Sequence, residues 1–203
     1  MPHPLQNRVT PFGEIVATSA RGTMMGNRGG CLHDAAQRLG RRRWASRRWI
    51  CCRLSFKGWH RVVMTPGRYT ELFFLDEATA LAAGHRPCAE CRRADYRLFQ
   101  EAWRRSGLPG EARADDMDSV LHAERTVSRR EVARPGDLPD GAMVAQGEAA
   151  YLVSNSRLYR WSLQGYTAAP DDGGSAPWRL LTAPAMVRIL ASGFVPGIHE
   201  SAS

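Results

Sequence analysis

The sequence predicts an α+β protein with a basic, cysteine-bearing N-terminal module, then a small antiparallel sheet and a closing C-terminal helix. Three observations predict it. A Cys-x-x-Cys pair, Cys88 and Cys91, leads into an apolar series at helical spacing. Short apolar runs of strand length, separated by turn residues, fill residues 141–203. Positive charge is concentrated ahead of the cysteine pair, where residues 21–68 hold eleven Arg and one Lys against a single acid, Asp34.

With 203 residues, 43% of them hydrophobic, the chain can bury one substantial core or two small ones. It divides by composition into a basic segment 1–110, an acidic or polar linker or excursion 111–140, and the sheet-plus-helix segment 141–203, packed on the first. No run of about 18 apolar residues is present, and the N-terminus, with Pro2 and Pro4, has no secretory apolar core. The expectation is a soluble, cytoplasmic protein with no membrane partner. Five cysteines, an odd number, argue against a complete disulfide framework. Between metal and redox roles for Cys-x-x-Cys, metal is expected, because no βαβ pattern of thioredoxin type surrounds the pair.

Taken in order, Phe12–Ala17 reads as a strand, followed by the glycine-rich stretch Gly22–Gly30. Its glycines, with Asn27 and Arg28, can cradle a phosphate, although the spacing matches neither a Walker loop nor a dinucleotide fingerprint; a plain flexible loop is the alternative. Cys31, His33 and Asp34 come next, then Arg41, Arg42, Arg43, Arg47 and Arg48 interleaved with Trp44 and Trp49. Trp49–Phe56 alternates as a strand, and Lys57-Gly58 reads as a two-residue turn into a second strand over 59–64. Adjacent strand residues point to opposite faces, so Cys51 and Cys52 cannot serve one ion without a bulge. Cys52 is the preferred ligand, on the face of Ile50, Leu54 and Phe56.

Cys88 and Cys91 at a helix start share one face and can reach one ion at about 2.3 Å. Pro87 suits the first helical position. Ala94, Leu98, Phe99, Ala102 and Trp103 continue the helix until Gly107 and Pro109 stop it. An acidic, turn-rich linker with one helical turn at 121–125 is expected next, then a charged stretch to residue 140. Beyond it, strands are expected at 142–144, 150–153, 158–161 and 178–181, a mobile loop at 168–177, and a helix over Thr182–Gly193 with Pro184 in its first turn.

Residues 73–93, through Phe73, Phe74, Glu77, Ala78, Ala83, Gly84, Arg86, Pro87, Cys88, Cys91 and Arg92, resemble the zinc-binding domain of bacterial Ada-type DNA-repair proteins. The resemblance implies zinc and an association with DNA. Family members use an upstream cysteine pair spaced by three residues, where this chain has adjacent Cys51 and Cys52, so the family's methyl-accepting chemistry is not carried over. The expected site is a closed, four-sulfur zinc site in a treble-clef-like module, built from Cys31, Cys52, Cys88 and Cys91, with His33 or His85 as substitutes for the first.

The charge asymmetry is a polyanion footprint, and nucleic acid, DNA before RNA, is the expected partner, in repair or defence. Asn27, Arg28, Arg41, Arg42, Arg43, Trp44, Arg47, Arg48, Arg92 and Arg93 are the candidate contacts, arginine gripping phosphate while aromatics stack on bases. Tyr159, Trp161 and Tyr166 are a further stacking surface or, at strand spacing, core. Two alternatives stay open. One is a nucleic-acid-processing enzyme, of nuclease or glycosylase/lyase type, using His33, Asp34, His122 and Glu124 as acid–base groups or Lys57, the one lysine among 28 basic residues, as a Schiff base. The other is an adaptor binding an acidic protein.

Overall fold

Two β-sheets share one short helix. The computed structural model describes residues 3–60, 62–125, 134–169 and 177–202. The first sheet has six strands, β1 (Gln6–Val9), β2 (Ile15–Ala17), β3 (Met24–Asn27), β4 (Ile50–Cys52), β5 (Leu72–Phe74) and β6 (Arg86–Pro87), in the order β2-β1-β5-β3-β4-β6. β5 runs parallel to β1 and β6 parallel to β4, while the other pairs are antiparallel. Val9, Ile15, Cys51, Leu72 and Phe74 form its core face against Ala80 and Ala83. Met25, Phe73 and Cys52 are in register across neighbouring strands on the opposite, outer face.

The helix is α1 (Glu77–Ala82), all six residues of which are buried. Asp76 starts it, its Oδ1 accepting from the Thr79 amide at 2.8 Å and the Thr79 hydroxyl at 2.7 Å. Ala78 and Ala82 face the second sheet, packing with Met143, Leu152, Tyr159 and Tyr166. Small side chains on both sides of the helix let two sheets approach it at once.

The second sheet, β10-β9-β8-β7-β11, is built from β7 (Met143–Gln146), β8 (Ala149–Ser154), β9 (Arg157–Ser162), β10 (Gly165–Ala168) and β11 (Trp178–Leu180). Asn155 and Ser156, at φ 50° and 59°, make a two-residue turn whose left-handed backbone matches the strand twist. The four expected strands are present. β10 is additional: half of it is exposed at the sheet edge, so its sequence carries little apolar signal.

Helices α2 (Arg93–Arg105), α3 (Ala114–Arg125) and α4 (Pro184–Ala191) build the remaining core, in which Phe99 and Trp103 meet Met117, Leu121, Met186 and Ile189. Residues 114–125 of the expected linker are therefore a packed helix. Its exposed Asp115 and half-buried Asp116 mask an inner face of Met117, Asp118 and Leu121. Residues from all three sequence segments share this cluster, so the segments are not separate cores. No described helix is long and apolar enough to cross a membrane.

Three local expectations are corrected. Arg86 and Pro87 form a strand, and α2 starts only at Arg93, so the two cysteines stand on the turn before the helix. The glycine-rich stretch contains β3: a Cβ on Gly26 would lie 2.2 Å from the Ile50 carbonyl oxygen, so glycine there serves close strand packing. Lys57-Gly58 does turn, with the Trp59 amide bonded to the Phe56 carbonyl at 3.0 Å, but β4 ends at Cys52 and pairs with no strand from the described residues of 59–64. Residues 61, 126–133 and 170–176, covering part of the expected second hairpin strand, the charged stretch and most of the expected mobile loop, lie outside the described residues.

Candidate metal centre

Cys52, Cys88 and Cys91 come together, their sulfur atoms all within 4.8 Å of one another. The sheet register brings them there. β6 runs beside β4 with Ile50 opposite Arg86 and Cys51 opposite Pro87, and the Cys88 amide bonds to the Cys51 carbonyl at 2.9 Å. The next residue of each strand is then a cysteine on the outer side. The turn closes with the Arg92 amide on the Cys88 carbonyl at 3.2 Å, which folds Cys91 back toward the pair.

Two buried arginine–carboxylate clamps flank that turn. Before it, Arg86 grips Asp118 through two bonds of 2.9 and 2.7 Å and also donates to the Pro87 carbonyl. After it, Arg92 grips Glu77 at 2.5 and 2.8 Å and Asp95 at 3.0 Å. Planar two-point pairing fixes orientation as well as distance. Arg92 is therefore a positioning group rather than a phosphate contact, which corrects its expected role; its neighbour Arg93 is exposed. Reading the sequence alone missed Arg86, Asp118, Glu77 and Asp95. The available signal was an arginine one or two residues outside each cysteine.

The thiols are unequal. Hydrogen bonds from Cys52 and Cys91, joined by the amides of Cys91 and Glu90, pull Cys88 down to about 2 against the opposing effect of burial. Cys52, bonded to Cys88 and Cys91, is pushed up. The Cys88 sulfur is thus the one that accepts hydrogen bonds from the other two, an arrangement in which a thiophilic cation can replace the shared protons. Tetrahedral zinc with bonds near 2.3 Å sets its sulfurs about 3.8 Å apart. A cluster with every sulfur within 4.8 Å of the others admits an ion after a small contraction, and its all-sulfur donor set suits zinc or another soft ion.

Cys51 is excluded by its face. It is fully buried in the core, and burial, followed by the charge of Glu77, raises its pKa. Cys52 belongs to the outer face with Met25 and Phe73, so its place in the cluster follows from pointing away from the packed core, opposite to the expected reason. Cys31 is the one expected sulfur outside the group. Its thiol donates to the His33 carbonyl at 3.2 Å, on a segment pinned elsewhere by the Leu32 amide on Thr70 Oγ1 and the Thr70 amide on the Gly30 carbonyl. Neither histidine substitute joins the cluster: the His33 ring bonds Thr70 and Thr65, and His85 is buried against Trp49 and Phe74.

The candidate catalytic groups have separate surroundings. His33 is held by threonines, while Asp34 forms an exposed turn with the amides of Ala36 and Arg38 and an ion pair with Arg38. Lys57 is on an exposed turn, its ammonium 5.0 Å from the Phe56 ring and 5.8 Å from that of Trp59. His122 packs on Trp44 and Trp49 and accepts from Arg125. Burial, then Arg125 and Arg47, lower its pKa. Glu124 accepts from the Ala185 amide at 2.9 Å, capping the start of α4.

The connection from β3 to β4 carries the arginines. Arg41, Arg42, Arg43, Arg47 and Arg48 are exposed there, with Trp44 41% exposed. Arg48 pairs with Asp115 at the surface. Among the described residues, no carboxylate is within ion-pair distance of Arg41, Arg42, Arg43 or Arg47. Arg28 and Asn27 are buried, contrary to their expected surface role. The Asn27 side chain accepts from the Gly29 amide. Arg28 lies 4.0 Å from one tryptophan ring, that of Trp49, which Arg125 also approaches at 4.2 Å. Burial, then Arg125 and Arg43, lower Arg28 to about 9, so it remains a cation at neutral pH. Tyr159 and Tyr166 are buried; the Tyr166 hydroxyl donates to Asp76 and the Trp161 indole to Thr79. These three aromatics serve the contact between sheet and helix rather than a stacking surface.

Comparison with known proteins returns no match to this chain among family models, curated proteins or solved structures.

Proposed function

We propose that this is a zinc-stabilised protein that binds nucleic acid, DNA before RNA, through the loop between β3 and β4. The observation that carries the reading is one of connection. A loop of exposed arginines, four of them without a carboxylate among the described residues, ends in β4, and β4 ends in the first sulfur of the cluster. Cys52, Cys88 and Cys91 would hold the ion, which supplies a cross-link between a strand end and the turn before α2, as a treble-clef-like frame does. The resemblance of residues 73–93 to the Ada-type module points the same way. The dispersal of His33, Asp34, Lys57, His122 and Glu124 offers no assembled acid–base site, so binding is the function adopted.

The test joins metal analysis to salt dependence. Purified protein is expected to hold about one zinc per chain. Every arginine that neutralises a phosphate of duplex DNA adds about 0.9 to the steepness with which log affinity falls against log salt. The triple variant Arg41→Ala/Arg42→Ala/Arg47→Ala is therefore expected to be shallower by about 2–3 in that slope. A slope near zero for the natural protein would refute a polyanion partner.

A further inference from the structure

From the outer face of the first sheet, we infer that the protein holds an unpaired base of a single-stranded nucleic acid in an aromatic cavity beside the cysteine cluster. The inference rests on the nucleic-acid reading above and adds which form is bound and where the base sits.

The cavity has a volume of about 420 Å³, within the range of small-molecule sites. Phe56, Trp59, Tyr69 and Phe73 supply aromatic walls, and Met25 adds a polarizable thioether. Arg53, His60 and Glu71 are the polar part of the lining, the Glu71 carboxylate also accepting the Met64 amide at 2.8 Å. A flat ligand with a π-face and N–H groups suits such walls, whereas an anionic ligand would meet the carboxylate. Apolar surface is concentrated here: Leu54, Trp59 and Tyr69 of the lining are three of the seven large exposed hydrophobic side chains among the described residues, with Trp59 66% exposed. An exposed apolar group of this kind marks a binding surface.

The surroundings favour a nucleotide chain over a neutral ligand. Between Arg53 and Arg68 the sequence holds no acid, and Lys57 stands beside the Phe56 and Trp59 rings. Tyr69 also lines a second cavity, of about 500 Å³, with Ser46, Arg48 and Cys88. That second cavity reaches the foot of the arginine loop. A strand whose phosphates follow Arg48 toward Arg53 would pass the cysteine turn and present its next base to the aromatic walls. Basic grooves with stacking side chains are how single strands are gripped without sequence preference.

The test uses the full-length, metal-loaded protein and fluorescence anisotropy with three probes: a 12-nucleotide oligothymidine, an oligomer of the same length with abasic sugars, and a duplex. The natural protein should prefer the base-bearing strand over the abasic one by about 10-fold. Trp59→Ala and Tyr69→Ala should each weaken binding of oligothymidine about 10-fold and change the other two probes little, and Trp59→Phe should recover most of the affinity. Both positions are solvent-exposed, and circular dichroism checks that the variants fold. Equal binding of abasic and base-bearing strands, or unchanged affinity in both alanine variants, overturns the base site while leaving the polyanion reading intact. Failure of the natural protein to bind any probe at low salt removes both.

Discussion

Cys51 and Cys52 are neighbours with opposite surroundings, one sealed in the core and one facing the other thiols. Substitution should separate them. Cys52→Ser or Cys88→Ser is expected to release the metal, whereas Cys51→Ser should keep it and instead lower stability by about 1–3 kcal/mol for burying a hydroxyl in an apolar site. Cys31→Ala should change neither. Metal stoichiometry and denaturant unfolding on the four variants check this; metal retained by Cys52→Ser would exclude the proposed ligand set. The alternation of faces was legible in the sequence. Which face was the core was not, because β4 is covered by α1, an element separated from it by more than twenty residues.

His85 gives a second expectation at this scale. Arg28 Nε donates to its Nε2 at 3.3 Å and its Nδ1 faces the Ala80 carbonyl, so the ring sits in its neutral form. Burial, then Arg28 and Arg125, hold its pKa well below the ordinary histidine value. The unfolded chain takes up a proton below about pH 6.5 and the folded one does not, so stability is full above that pH and falls beneath it, by up to about 1.4 kcal/mol per pH unit. His85→Gln should be less stable at neutral pH yet flatter between pH 6.5 and 5. Parallel stability–pH curves for the two proteins would show that His85 titrates alike in both states.

At the scale of elements, β6 and the turn after it are held by partners from three helices, Glu77 of α1, Asp95 of α2 and Asp118 of α3. Asp118 of α3 reaches Arg86, both nearly inaccessible, with side-chain exposures of 2% and 3%. Asp118→Ala leaves a buried guanidinium without its carboxylate and is expected to cost about 3–5 kcal/mol, while the apolar pair Arg86→Met/Asp118→Leu should cost much less. Denaturant unfolding decides it; equal destabilisation in both would mean that loss of the ion pair itself, and not an uncompensated buried charge, sets the cost. The helical character of α3 was hidden by its charge, since an acid, Asp118, stands among its inward positions and breaks the apolar period. α2 and α4, with regular apolar spacing, were legible to within a few residues except where Pro87, which begins helices well, is used in a strand.

For the whole molecule, the class of fold and the strands of the second sheet were readable from local patterning, because two-residue turns and alternating burial are encoded nearby. The union of the segments was not. Leu75, Ala78 and Ala82 complete the core of the second sheet, and helices from every part of the chain share another cluster. Such packing depends on residues far apart in sequence. Of the four expected sulfurs, three converge because one strand register and one turn suffice to bring them together. The fourth required a long segment to bend toward them, and a network of threonine hydrogen bonds holds it elsewhere.

Glu77 has one further implication. Its Oε2 receives both Arg92 of the cysteine turn and the Gly197 amide near the last residues of the chain, at 2.8 and 3.0 Å. One carboxylate oxygen accepts both bonds at once, so a shift of Glu77 at either partner moves the other. By the same link, a change in the packing of residues 197–202 is expected to reach the cysteine turn through that carboxylate.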